Sequence, residues 1–267
     1  MDFKKKPVIA CIHLLPTPGS PQYGGSIDRI YEAATRDAKI FSDCGVDALI
    51  VENFRDGPFF PSHVPVETSA TLAGVTREVI LGSRIPVGVA VLRNDAEAAI
   101  AIAVATGAAF VRVNVHIGAA LSPQGILEGN SHRTLRLRSA LRSDVMIFAD
   151  AGVKHSSPWT YPDLADEIRD LSTCSEAIIV SGPLTAIETE VRDLALAKRT
   201  SRKPVLVGSG ITPDNLEKVF PLADGFIIGS YFKTDGVPLN TVDPTRVRRL
   251  MQQVQDLRLQ LTNDHES

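Results

Sequence analysis

Two glycine-containing segments in the C-terminal half of the chain have the composition of phosphate-binding turns. The first is Gly208-Ser209-Gly210-Ile211-Thr212-Pro213, in which glycines let the main chain approach a ligand and Thr212-Pro213 resembles the start of a helix. The second is Ile228-Gly229-Ser230, with Lys233 shortly after it. Free amides at a helix N-terminus suit an anion, so the pair predicts a phosphate site. Its predicted ligands are Gly208, Ser209, Gly210, Gly229 and Ser230; the alternative is that the glycines only form tight turns.

Carboxylates and basic side chains elsewhere in the chain are suited to proton transfer. Asp150 ends an apolar run, and Lys154 and His155 follow it closely. Burial and mutual charge would tune the pKa values of such a group, although an ion pair that anchors the loop is an equal alternative. The predicted catalytic residues are Glu52, Asp150, His116 and Lys154. A Schiff-base role for Lys154 is disfavoured, because it follows the strand on a loop instead of being buried at a strand end.

Some of the same side chains suit a metal ion. Glu52, His116 and Asp150, together with His13, offer oxygen and nitrogen ligands, but their spacing does not decide whether they converge. No cofactor is assigned, and a divalent metal stays open. Arg112 needs a partner if it points inward, because an unpaired buried charge is costly. An internal salt bridge with Glu52 or Asp150 is favoured over a bound anion.

These residues lie at or near the ends of short runs rich in β-branched residues. Each run is bounded by Gly, Pro, Asn or Asp. The runs are Val8–His13, Ala48–Glu52, Pro86–Leu92, Phe110–His116, Val145–Asp150, Ala177–Ser181, Pro204–Gly208 and Phe226–Gly229. Their nearly continuous hydrophobicity is typical of parallel strands covered by helices. Polar residues that end or follow the runs predict the substrate ligands His13, Asn53, Arg93, Asn114 and Ser181, although any strand that exits into water also ends in polar residues.

Stretches with helical spacing separate the strands. After Ser26, a favourable N-cap, apolar residues recur on one helix face until Gly45. Asp243-Pro244 predicts the start of a last helix, and Thr185 with Glu188 has the spacing of a capping box. Eight such strand–helix units favour a single α/β domain over residues 1–267, with its core at about 7–260, folded as a parallel eight-stranded (β/α)8 TIM-type barrel. An open doubly wound sheet is the alternative.

The bulk composition is that of an ordinary globular protein. The chain has 267 residues, 44% of them hydrophobic, and a formal net charge of −3. This charge gives no general reason to expect a nucleic-acid partner. The scattered cysteines Cys11, Cys44 and Cys174 are interpreted as small core residues in a reducing compartment. The richest apolar run is too short to span a membrane, so a cytoplasmic protein, at most peripheral to a membrane, is expected. A homo-oligomer stays open.

Two further segments bear on access and partners. The Pro- and Gly-rich stretch from Leu14 to Gly25, with Phe54 to Pro65, is long enough to form a lid over the barrel mouth. One predicted helix carries several arginines, which usually form a solvated face but would also suit an anionic membrane or partner. They are Arg133, Arg136, Arg138 and Arg142.

Several motifs carry a resemblance to the BtpA/SgcQ family, which is named for a photosystem I biogenesis protein. They include His13-Leu14-Leu15-Pro16, Val51-Glu52-Asn53-Phe54, Val91-Leu92-Arg93-Asn94-Asp95, Arg112-Val113-Asn114-Val115, Val153-Lys154-His155 and Phe232-Lys233-Thr234-Asp235-Gly236. The resemblance extends from about Pro7 to Val254. It implies a TIM-type barrel. For photosynthetic members it also implies a peripheral thylakoid protein needed for photosystem I, whereas other members resemble enzymes of sugar or nucleoside metabolism.

Two functions remain open from the sequence. The first is an enzyme that acts by acid–base chemistry on a small phosphorylated metabolite, a sugar phosphate or nucleotide-like molecule, with isomerase, lyase and hydrolase chemistry unresolved. The second is a non-catalytic photosystem I assembly factor, peripheral to the thylakoid membrane if the host is photosynthetic. The polar strand ends favour the enzyme. The family name and the arginine-rich helix favour the assembly factor.

Overall fold

Eight parallel strands close into a barrel in the computed structural model, which describes residues 1–182, 185 and 189–266, with side chains as far as 261. Around the ring their order is β1, β2, β3, β4, β7, β9, β10 and β11. These strands are β1 Val8–His13, β2 Ala48–Glu52, β3 Val87–Ala90, β4 Phe110–Val113, β7 Met146–Ala151, β9 Ala177–Val180, β10 Val205–Val207 and β11 Gly225–Ile228. The predicted TIM-type barrel is confirmed, and the open-sheet alternative is wrong.

Helices follow the barrel strands and pack on the outside of the ring. They are α1 Ile27–Asp43, α2 Val66–Gly82, α3 Ala96–Thr106, α4 Ser131–Ala140, α5 Leu164–Leu171, α6 Val191–Thr200, α7 Pro213–Val219 and α8 Pro244–Glu266. Ser26 caps α1 by accepting from the amide of Arg29. Asp243 accepts from the amide of Thr245 at the start of α8. The Thr185–Glu188 capping box lies partly outside the described residues.

Aromatic side chains fill the lower half of the barrel. Phe110 and Phe148 stack at 4.7 Å between ring centroids, and Phe3 meets the edge of Phe148 from the N-terminal end. These rings close the barrel at that end, as inward-pointing side chains do in this fold. The polar side chains that follow them upward therefore face the opposite, C-terminal opening.

A small antiparallel sheet, which the sequence analysis did not predict, lies beside this opening. The strands β5 Ala119–Ser122 and β6 Gly125–Glu128 form a hairpin, and β8 Ser157–Pro158 pairs with β5. The predicted fourth barrel strand, Phe110–His116, is too long, because β4 ends at Val113 and the chain turns towards this hairpin. Within the described part of the chain, no helix combines the length and the apolar character that a membrane span requires.

Candidate active site at the barrel mouth

Both glycine turns open onto one cavity of about 500 Å³ at the carboxyl ends of the strands. Gly208, Ser209 and Gly210 line it after β10, and Gly229 and Ser230 line it after β11. Gly210 has a φ of 72°, in the left-handed region that favours glycine. The turns therefore face the same space, which the phosphate prediction requires. Binding of phosphate itself stays a prediction.

The base of the cavity is an ion-pair network centred on Arg112. Its guanidinium donates to both carboxylate oxygens of Asp150, with Nε at 3.0 Å and Nη2 at 2.9 Å. Asn114 donates to the same carboxylate at 2.7 Å, and Glu52 Oε1 lies 3.7 Å from Arg112 Nη1. Burial alone would lower the pKa of Arg112, but the two carboxylates raise it above its ordinary value. Arg112 is thus a fixed positive charge, as the internal salt-bridge interpretation expected.

His13 borders the cavity in a neutral form. Its Nδ1 lies 3.1 Å from the carbonyl oxygen of Pro238, which can only accept, so Nδ1 carries the proton. The ring stacks on Phe54 with centroids 4.2 Å apart. Burial and the nearby Lys233 hold the pKa of His13 well below its usual range. Its Nε2 is therefore an acceptor.

Three more basic side chains reach the cavity from separate elements. Lys154 lines it from the loop after β7, and Arg93 Nη2 holds that loop by donating to the Lys154 carbonyl at 2.5 Å. Burial and the charge of Arg112 lower the pKa of Lys154. Lys154 lies on the loop after the strand, as expected, but its side chain reaches the barrel mouth, which corrects the reason for disfavouring a Schiff-base role. Arg246 arrives from α8, and its Nε donates to the carbonyl of Tyr231 at 2.6 Å.

Two predicted catalytic residues lie elsewhere. Asp150 is 1% exposed and is not among the residues that line the cavity, because its oxygens are held by Arg112 and Asn114 underneath. His116 is also 1% exposed and outside the cavity, with Nδ1 3.8 Å from the Sγ of Cys174. Because β4 ends at Val113, the alternation that was expected to point His116 inward does not extend to it.

Two predicted substrate ligands are also displaced from the cavity. Asn53 joins two loops instead, because its amide donates to Asp56 and to the Leu92 carbonyl and accepts from the Leu92 amide at 2.8 Å. Ser181 borders a second cavity, and a Cβ on Gly208 would come within 2.4 Å of its Oγ. His13, Arg93 and Asn114 do line the first cavity.

Lys233 also lies away from the proposed anion site. It is fully buried, with Nζ 3.5 Å from an oxygen of Asp37 and 3.4 Å from the Cys11 carbonyl. This lysine therefore joins β1 to α1 and does not face the two glycine turns.

Several lining residues escaped sequence reasoning. Cys11 was interpreted as a core residue, yet it borders the cavity two positions before His13, and the two-residue period of a strand could have placed both on one face. Pro123 and Gln124 line it from the tip of the β5–β6 hairpin, and nothing in the sequence places Arg246 there. The predicted lid loops do meet, since Asp56 accepts from both the amide and the hydroxyl of Thr17.

Comparisons with known proteins agree on family and fold. The model of the BtpA family matches residues 4–256. An uncharacterized protein of Thermococcus kodakarensis is 44% identical over 97% of this chain and 98% of its own length. The photosystem I biogenesis protein BtpA of Synechocystis is 42% identical over 90% of this chain and 85% of its own. Among solved structures, N-(5'-phosphoribosyl)anthranilate isomerase from Pyrococcus furiosus aligns with a TM-score of 0.58 at 14% identity, covering 94% of this chain and 99% of the isomerase. At that identity the likeness concerns the fold alone.

Proposed function

The chain belongs to the BtpA family, and from this premise we propose that it is an enzyme acting on a small phosphorylated metabolite at the barrel mouth. One observation carries the proposal. Four cationic side chains and a single carboxylate, Glu52, occur among the described residues that line the cavity. The cations are Arg93, Arg112, Lys154 and Arg246. A positive concavity on a protein of net charge −3 favours an anionic ligand.

The glycine turns give the anion a defined place within this positive cavity. Turns after the last two strands are where barrels of this type frequently hold phosphate. Gly208, Gly210 and Gly229 line the cavity, and the missing side chains of Gly208 and Gly229 leave room for Ser181 and the His13 ring. The phosphate group would sit against these turns, and the rest of the metabolite would extend towards β1 and β2.

Glu52 and Lys154 are the groups proposed to move protons. Glu52 is 4% exposed, and in the described part of the chain its Oε1 has no hydrogen-bond partner although it borders the cavity. Lys154 lies in the same cavity with a lowered pKa, which brings an amine closer to exchanging protons near neutral pH. Asp150, by contrast, acts through Arg112 and is a positioning residue. Each step proposed here is a proton transfer between one of these two groups and the ligand, and the class of the overall reaction is left open.

The test measures how much a ligand raises the unfolding temperature of the wild type and of a variant that carries an added negative charge at the anion site. Thr212, the N-cap of α7, lines the cavity, and aspartate is an equally good N-cap, so Thr212→Asp places a negative charge at the anion site. Ser26→Asp is the matched control, since Ser26 is the N-cap of α1 and does not line the cavity. The measurement is the unfolding temperature with a panel of sugar phosphates and nucleotides.

Ligand at 100 times its dissociation constant adds about 2.7 kcal/mol of stability. At least one phosphorylated compound should raise the unfolding temperature of the wild type and of Ser26→Asp but not of Thr212→Asp. The proposal fails if the whole panel leaves the wild type unchanged, or if Thr212→Asp keeps the full shift.

A second candidate is a non-catalytic photosystem I assembly factor, cytoplasmic or peripheral to the thylakoid. The observation that favours it is the Synechocystis relative with that printed role. The arginine-rich α4 gives it less support than its sequence suggested, because Arg133 pairs with Glu97 and Arg138 with Glu176, both at 3.0 Å. Sedimentation with thylakoid-like anionic vesicles, together with no ligand-induced shift, would favour this second candidate.

A further inference from the structure

Three potential metal ligands from β1 and β2 meet at the floor of the barrel mouth. The Sγ of Cys11, a ring nitrogen of His13 and a carboxylate oxygen of Glu52 all lie within 4.8 Å of one another. The three residues are 4%, 7% and 4% exposed, so the cluster is sheltered. Atoms that lie within this limit can share one ion at bonds of about 2.0–2.3 Å after small side-chain movements.

The fold explains why these side chains converge. Ile9 and Cys11 belong to the cluster that fills the barrel interior, and His13 continues the same face two residues later. His13 is the register partner of Glu52 on the neighbouring strand. A β1 sequence that alternates inward therefore places a thiol and an imidazole in one column, with a carboxylate beside them.

Two of these atoms, one from His13 and one from Glu52, are free to accept a further bond. His13 donates Nδ1–H to the carbonyl of Pro238, which fixes the ring and leaves the Nε2 lone pair unused, a common arrangement for histidine ligands of metals. The buried Glu52 Oε1 lacks a hydrogen-bond partner among the described residues. A Cβ at position 229 would lie 3.1 Å from the His13 ring, so glycine there leaves the imidazole its room.

We propose that Cys11, His13 and Glu52 bind a divalent ion of the zinc class, with one coordination position open to the cavity. Thiolate and imidazole select Zn²⁺ or a similar transition metal over Mg²⁺ or Ca²⁺. Three protein ligands beside an accessible cavity match a catalytic site more than a closed structural one. On binding, the Cys11 thiol proton is released to solvent and a metal–sulfur bond forms. The charges of the ion, the thiolate and the Glu52 carboxylate then cancel.

The site differs from the oxygen and nitrogen set that the sequence left open. Of that set only His13 and Glu52 are retained, because Asp150 is held by Arg112 and His116 lies outside the cavity. Metal binding does not depend on the phosphate proposal. The use of the ion does, since an open position beside a held phosphorylated ligand would polarise an oxygen of that ligand. With the ion bound, Glu52 would be its ligand, and Lys154 would be the group left to transfer the proton.

Cobalt binding tests the site without any assay of activity. Full-length protein is freed of metal with chelator and titrated with Co²⁺ in phosphate-free buffer, and the thiolate-to-cobalt charge-transfer band is recorded in the near ultraviolet. One ion per chain should bind, and Zn²⁺ should displace it with loss of the band. Removing a residue that only orients a metal ligand typically lowers metal affinity 10–100-fold. Glu52 is proposed as a direct ligand, so Glu52→Gln should weaken Co²⁺ binding by about 100-fold or more.

The cysteine variants decide which thiol is the ligand. Cys11→Ser should abolish the charge-transfer band. Cys174→Ser is the matched control and should keep it, although Cys174 also lies near a histidine, His116. No band in the wild type at excess Co²⁺, or a band that survives Cys11→Ser, overturns the proposal. Thermal shifts with phosphates are measured in chelator, so failure of either proposal is seen independently of the other.

Discussion

Arg112 and Asp150 form a two-point ion pair beneath the barrel mouth, with donor–acceptor distances of 3.0 and 2.9 Å. The side chains of Arg112 and Asp150 are 6% and 1% exposed. The sequence predicted Asp150 as a catalytic residue. In the structure its carboxylate instead holds the guanidinium of Arg112 in place. The position of the Arg112 guanidinium in the floor of the cavity therefore depends on Asp150, although Asp150 does not line the cavity.

Asp150→Asn should destabilise the fold, because it leaves the Arg112 charge buried with only the more distant Glu52. Breaking a buried ion pair by removing one partner costs about 3–5 kcal/mol. Asp43→Asn is the control, since the exposed Lys39–Asp43 pair should contribute less than about 1 kcal/mol. Urea unfolding measures both. A cost for Asp150→Asn no larger than that of Asp43→Asn would contradict the role given to this pair.

His116 should act as a buried neutral histidine whose influence appears in acid stability. Burial and the charge of Arg138 lower its pKa to about 4, from an ordinary value of 6.5. The unfolded chain then binds the proton more readily, so this contribution to stability is present above pH 6.5 and is lost as the pH falls from 6.5 towards 4. The shift corresponds to about 3 kcal/mol.

His116→Gln should reduce the slope of that part of the pH profile, to which His13 also contributes because its pKa is lowered too, and should leave the phosphate-induced thermal shift intact. Unfolding free energies at several pH values between 4 and 7 test the first point. An unchanged slope in the variant would contradict the assignment of the acid sensitivity to His116. If the folded variant no longer showed the phosphate-induced rise in unfolding temperature, His116 would have to contribute to the ligand site.

Lys154→Met should weaken binding of the phosphorylated ligand. A hydrogen bond to a charged group contributes about 1.5–3 kcal/mol, which corresponds to about tenfold or more in the dissociation constant. Lys39→Met removes the same charge from an exposed position on α1 and should have no effect. Calorimetric titration compares the two variants. Equal ligand affinities in the two variants would show that Lys154 does not contribute to binding at the proposed site.

Gly229→Ala should disturb the wall that holds His13. Gly229 has a negative φ of −111°, so no left-handed strain is involved, and the predicted effect comes from the new Cβ, which would lie 3.1 Å from the ring. Overpacking of this kind costs about 1–3 kcal/mol. Gly82→Ala is the control, because a Cβ there meets nothing within 4 Å. Urea unfolding that finds the two variants equally stable would show that the ring has more room than the structure indicates.

Much of the fold was predictable, because parallel barrel strands leave a strong pattern. Val8–His13 and Ala48–Glu52 were predicted to the residue, and the helices after Ser26 and Asp243 begin where their caps indicated. In this topology a glycine turn after a late strand must reach the mouth, so Gly210 and Gly229 could be assigned to one cavity.

The rest depends on contacts that no single segment encodes. Asn53 and Asn114 both follow strands, yet only the three-dimensional neighbours show that one clamps loops and the other supports Asp150. His116 was misplaced because the strand ends earlier than its apolar pattern suggests. Arg246 reaches the cavity from α8, and its position there follows from ring closure and not from local sequence.

The most direct test follows the two turns themselves while the ligand binds. In protein labelled with ¹⁵N, the amide resonances of Gly210 and Gly229 are monitored during titration with a phosphorylated metabolite that stabilises the fold, with Gly45 and Gly82, which follow α1 and end α2, as reference glycines. The account predicts saturable shifts at Gly210 and Gly229 with one shared dissociation constant and no change at the reference glycines. Amides at Gly210 and Gly229 that stay fixed while the ligand binds would contradict it.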